Sequence, residues 1–295
     1  MTEGIEATLI YQNYATLGEG SLWDEKEQAL YWVDILKNQV YAYHPDRQAN
    51  VGYDTKENVG TLVFREKGGL MLALQSGFAS LDLTTGAVEK ITDPEAHLPH
   101  NRFNDGKCDP QGRFWAGTMS YSADPEAGNV YCLDAHFTVT KKIQQVTISN
   151  GLVWNQSQSK FFYVDTATFS VDVYDYDPQS AGISNKRSLK QFSALEGLPD
   201  GMAIDEDDHL WVALYEGGKV VRLHPQSGET VYEVWIPGAK QVTSCALGGK
   251  HWDELFITTA SQTFTAADWK EQPNAGGLFH AKVPFKGVPS ARFKG

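Results

Sequence analysis

The chain has 295 residues, 41% of them apolar, and a formal net charge of −12. That is enough apolar material for a sizeable core, and the acidic balance argues against nucleic acid or an anionic membrane as partner, since both need a basic field. It suits a binder of cations. No run approaches the ~20 apolar residues of a membrane helix. The start, MTEGIEATLIYQ, has neither the basic n-region nor the apolar h-region of a secretory signal. Three scattered cysteines, Cys108, Cys132 and Cys245, predict neither a disulfide framework nor a zinc site, so a reducing cytoplasm is the expected location.

In chain order, the first strand-like segment is IEATLIYQ (5–12). Six stronger runs follow: LYWVDI from 30, GLMLAL from 69, RFWAGT from 113, FFYVDT from 161, LWVALY from 210 and LFITTA from 255. They start 39 to 49 residues apart, and each leads into a second alternating run, such as QVYAYHP, NVYCLDA or SVDVYDYDP. Turn sequences (LTTG, DPQG, NQSQ, DEDD, HPQSG) separate them. Period 3.6 is missing throughout, apart from one helical turn at most in FTAADWKEQ (264–272). Six units of roughly 50 residues, each about four short strands, predict an all-β fold: a six-bladed β-propeller over 1–295, one domain without a linker. A sandwich or barrel with accidental regularity is the less favoured alternative. Closure is expected where 5–12 joins GGLFHAKV (276–283) and PSARF (289–293), hiding edges that otherwise invite aggregation.

Four polar residues recur at one point of this pattern. Glu19, Asn104, Asn150 and Asp200 each lie nine to eleven residues before the strong run of their unit, with glycines close by. In a propeller that point is the entry of the innermost strand, so the four side chains form a ring at the mouth of the central channel. Each alone is an ordinary turn residue. Two carboxylates held together with amide oxygens call for a compensating charge. A divalent cation supplies it, and all-oxygen donors suit Ca²⁺, Mg²⁺ or Mn²⁺, with Zn²⁺ also tolerated.

The segments GEGSLW, YWVDI, NRFNDGKCDPQGRFWAGTM, SNGL, PDGMAID and LWVALYEGGKVVRLHP together resemble the regucalcin/gluconolactonase family, which includes senescence marker protein, sugar lactonases and luciferin-regenerating enzyme. The likeness runs through nearly the whole chain and is nearest the regucalcin branch, whose fold is also a six-bladed propeller. It implies metal ligands at Glu19, Asn150 and Asp200, and substrate contacts at Arg102 and Asn104. Where regucalcin follows AGTM with a substrate-contacting glutamate, this chain aligns Ser122, which leaves the substrate preference open. The implied activity is metal-dependent opening of a sugar lactone, with Asp200 as general base and residues 120–129 as a cover for the mouth. A calcium-binding regulatory protein without turnover is the main rival, and a protein-interaction platform a weaker one. The expected ligand is a small sugar lactone, and the expected assembly a monomer or weak dimer.

Other motifs carry less. His97 and His100 lack a third nitrogen ligand and are expected as loop residues. DEDDH (205–209) lacks the glycine and distal glutamate of a calcium loop and is expected as a solvated hairpin turn. GEGS lacks a phosphate-loop lysine, and no GxSxG or Cys–His arrangement predicts a covalent nucleophile.

Overall fold

The computed structural model describes residues 3–295. Six antiparallel sheets follow one another around a ring, each built outward from an innermost strand. The innermost strands are Gly18–Asp24, Val59–Phe64, Asn101–Cys108, Ser149–Trp154, Leu198–Ile204 and Val242–Gly248. Each packs against the next, and the last packs against the first, so the ring is a six-bladed propeller. The strong aromatic runs of the sequence are the second strands, from Ala29–Asp34 in the first blade to Glu254–Thr259 in the sixth. These strands are buried almost throughout, because each blade is covered on both faces by its neighbours; Trp32, Trp115 and Trp211 are fully enclosed. FTAADWKEQ contributes the one α-helix of the described residues, Ala266–Glu271, started by a capping box between Thr265 and Asp268.

Closure differs from the sequence expectation. Thr8–Gln12 does pair antiparallel with Gly277–Lys282 and completes the sixth blade. The chain breaks at Ala7, and the preceding strand Glu3–Glu6 lies parallel to Thr230–Trp235 as a fifth strand of the fifth blade. PSARF does not enter the sheet. Pro284, Gly287 and Pro289 prevent a continuous ladder, and the tail runs across the far face of the ring to bury Phe293 between the second and third blades. There Phe293 bridges Arg65, and the Phe293 N–H donates to the Phe64 carbonyl at 2.7 Å.

One irregularity recurs in all six blades. Near its start, each innermost strand carries one residue more than its partner: between Glu19 and Leu22, Val59 and Thr61, Phe103 and Gly106, Asn150 and Leu152, Pro199 and Met202, and Val242 and Ser244. A bulge of this kind bends the strand and re-aims side chains that strict alternation would send elsewhere. All four ring residues of the sequence analysis sit at these bulges. At the second-blade bulge Gly60 has no room for a side chain, since a Cβ would stand 2.5 Å from the Phe103 and Asn104 carbonyl oxygens. In the sixth, Thr243 is fully buried and donates its hydroxyl to the Gly18 carbonyl. Four blades therefore furnish the ring and two frame it.

Candidate metal and active site

The ring assembles as expected at one end of the channel, and all four members are buried, between 3% and 5% exposed. Glycine after the ring residue lets blades close up: a Cβ at Gly151 would strike the Asp200 carbonyl, and one at Gly201 the Thr243 carbonyl. Gly20 has a φ of +62°, a turn that brings its own N–H back to Glu19 Oε2 at 3.1 Å.

A chain of hydrogen bonds sets the orientation of each group. Pro199 accepts from the Thr166 hydroxyl at 2.8 Å, and the Thr166 oxygen accepts from Asn150 Nδ2 at 2.8 Å. That anchors the Asn150 amide so that Oδ1 faces the ring, where it accepts from Asn104 Nδ2 at 3.0 Å. Asn104 donates also to the Ser149 carbonyl at 2.8 Å, and its Oδ1 accepts from Arg102 Nη1 at 2.7 Å. Both amide hydrogens of Asn104 are thus committed within the protein. It couples Arg102 to Asn150 and keeps an oxygen lone pair free.

Glu19 and Asp200 face each other in the ring, and each perturbs the other's carboxyl. Burial, followed by the charge of Asp105, pushes the Glu19 carboxyl up from 4.5 to about 8, against the Gly20 N–H, the Asp200 contact and Arg102. Burial also holds Asp200 well above the usual carboxylate range, with Glu19 and Asp105 adding to it. Asp200 Oδ1 has no hydrogen-bond partner at all, and neither does Arg102 Nε. Unsatisfied buried atoms of this kind are uncommon and call for a partner. Two carboxylates and the Asn150 oxygen around an unpartnered Oδ1 form the donor set of a hard divalent cation, so Glu19, Asn150 and Asp200 fit such an ion.

Three neighbours escaped the sequence reading. Asp105 enters the channel beside Asn104 because the bulge leaves both residues unpaired; under strict alternation it would point to the opposite face. Thr166 sits in the 3₁₀ turn after FFYVD, with no motif to mark it. Tyr121 lies over Arg102, its ring centre 5.9 Å from the guanidinium carbon, and its hydroxyl donates to Asn58 Oδ1 at 2.6 Å. Ser122, the expected substrate contact, is exposed on the turn that follows, so the contact this segment makes to Arg102 comes from Tyr121. The segment is tied down by Ser120 and Asp124, whose side chains bond to each other at 3.0 Å.

The turn at 205–209 corrects another expectation. It is a hairpin turn, but Asp205 is fully buried rather than solvated. Its carboxylate accepts from the N–H groups of Asp207 and His209, from Trp211 Nε1 at 3.0 Å and from Arg222 Nε at 2.6 Å. Ligand atoms of Asp205, Asp207 and His209 lie within 4.8 Å of one another. The Arg222 guanidinium already reaches both aspartates and supplies the positive charge an ion would bring. His97 and His100 are exposed loop residues, as expected.

Fold and site together define a six-bladed propeller whose channel mouth carries a buried, under-satisfied carboxylate pair beside an arginine. The chain belongs to the SMP-30/Gluconolactonase/LRE-like family, whose model matches residues 17–261. It is 39% identical over 291 residues to "Putative sugar lactone lactonase YvrE" of Bacillus subtilis, covering 99% of each chain. To the regucalcin of Gallus gallus it is 38% identical over 285 residues, 95% of each. A solved luciferin-regenerating enzyme superposes with a TM-score of 0.88 at 30% identity, over 98% of this chain and 99% of that one. Among the described residues no helix is long and apolar enough to cross a membrane.

Proposed function

We propose that this protein hydrolyses the cyclic ester of a sugar acid, an aldonolactone, with one divalent cation held by Glu19, Asn150 and Asp200. The observation that carries this reading is the buried Glu19–Asp200 pair, with Asp200 Oδ1 unpartnered beside the Arg102–Asn104 couple. When bound, the cation supplies Lewis-acid polarisation of the ester carbonyl. Asp200 takes the proton of the attacking water, as a carboxylate beside a bound cation can. Arg102 has hydrogen-bonding capacity left after binding the Phe103 carbonyl and Asn104, and offers it to the sugar hydroxyls as a planar fork. Tyr121 limits the tilt of that guanidinium, and Ser122 stands further out at the rim. The relative from Bacillus subtilis bears a sugar lactone lactonase name, in keeping with this chemistry.

The rival reading, cation binding without turnover, uses the same donor set and has the regucalcin name of other relatives on its side. Acid release from gluconolactone, followed with and without chelator and corrected for spontaneous opening, separates the two. Chelator-sensitive catalysis is expected. Tight cation binding with no rate above background would leave the protein a binder.

A further inference from the structure

A second cavity lies at the opposite end of the channel. It measures about 170 Å³ and is lined by the far ends of the innermost strands, including Trp23, Lys107, Trp154 and Cys245. The crossing C-terminal tail, residues 288–291, forms its outer wall. Between it and the mouth ring the channel narrows to a space of about 10 Å³ beside Asp105 and Ser244, room for one water at most. A molecule in the far cavity is therefore separate from one at the mouth.

The chemistry of this lining is one-sided. Lys107 makes no ion pair among the described residues; its ammonium donates to the Met202 carbonyl at 2.7 Å and has two further hydrogens to give. Asp105, two residues away, is turned back onto the Gly106 N–H at 2.7 Å. The indole N–H groups of Trp23 and Trp154, both rings bordering the cavity, have no acceptor in the structure. Spare indole donors beside the Lys107 ammonium, whose nearest opposite charge is Asp105 in the channel, suit an acceptor-rich anion. Flat aromatic walls and a volume near that of a cavity known to admit one benzene ring limit its size.

We propose that the far cavity is a binding site for a small single-ring carboxylate, its carboxylate on Lys107 and its ring between Trp23 and Trp154. The site is independent of the lactonase reading, since it shares no residue with the mouth ring. Benzoate, with benzamide as the neutral control, tests it by titration calorimetry and tryptophan fluorescence on the full chain. The parent protein should bind benzoate saturably and benzamide more weakly by about tenfold or more, the scale of one charge-assisted hydrogen bond. Lys107→Met should lose that preference. Ser290→Trp, which fills the cavity from the tail and leaves Lys107 in place, should abolish binding of both, and a cooperative urea transition checks that each variant is folded. Glu19→Gln, at the mouth, should bind benzoate as the parent does. No saturable binding across the millimolar range, binding unchanged in Ser290→Trp, or binding lost in Glu19→Gln would overturn the proposal.

Discussion

Two pairs of buried acids in this propeller, one on the far face and one in the mouth ring, are held in opposite ways. On the far face, Asp109 and Asp205 open equivalent hairpin turns and are fully buried. Asp109 accepts from the N–H groups of Gln111 and Arg113, from Arg113 Nε, from Trp115 Nε1 and from the Tyr176 hydroxyl. Asp205 repeats the scheme with Trp211 and Arg222. At the mouth, Glu19 has a single backbone donor and Asp200 keeps an oxygen with none. A buried carboxylate is tolerable when donors and a guanidinium saturate it, and it then acts as a fold element. Left under-satisfied, it is held ready for a ligand. Burial alone does not tell the two apart; the donor count does.

The largest expected effect that would break this comparison is on catalysis. Asp200→Asn keeps shape and one oxygen but loses the base, so gluconolactone turnover at saturating cation should fall ~10²–10⁴-fold. Steady-state rates within a few-fold of the parent would remove Asp200 from the base role. Next comes the far face. Asp205→Ala strands the Arg222 guanidinium and the Trp211 N–H, and should cost about 3–5 kcal/mol in urea unfolding while leaving turnover by the folded protein near that of the parent. A loss of cation affinity in this variant would show that the wrong acids have been assigned to the ion.

Cation binding sharpens the comparison further. Glu19→Gln should weaken a divalent ion by ~1–3 kcal/mol in calorimetry, the scale of losing a charged partner. The pH dependence has a definite sign. Glu19 titrates at about 8 in the fold against 4.5 ordinarily. The folded state therefore keeps a proton that the unfolded chain releases over that interval, and the metal-free protein loses stability as pH climbs from about 4.5 to about 8. The ion must displace that proton, so its stabilising effect on thermal unfolding should grow over the same interval. In Glu19→Gln this pH trend should flatten. The smallest effect is at Arg102: Arg102→Lys keeps charge but not the fork, and should raise KM about tenfold with kcat and cation affinity nearly intact.

Much of the site was legible because a repeat converts sequence spacing into position around an axis. Glu19, Asn104, Asn150 and Asp200 stood out from their common distance to an aromatic strand, and the fold brings all four to one mouth. Asp105 was hidden by the rule that made the strands readable: alternation assigns it to the other face, and only the bulge between Phe103 and Gly106 turns it into the channel. Tyr121 and Thr166 lie in connections without a period, where position depends on the neighbouring blade. DEDDH misled in another way, since its acidity suggests water while Trp211 and Arg222, six and seventeen residues on, draw Asp205 inside.

Hydrophobic periodicity, turn chemistry and the spacing of six similar units determined the propeller, its blade count and the identity of the ring, because those are local patterns repeated along the chain. Tertiary structure alone decided how the ring closes and which acids stay unsatisfied. The split of the N-terminal segment at Ala7, the course of the tail to Phe293 and the ion pair of Asp205 with Arg222 all depend on partners between 17 and about 270 residues away. No local pattern encodes such a partner; it is set by which surfaces remain to be covered once six blades have closed into a ring.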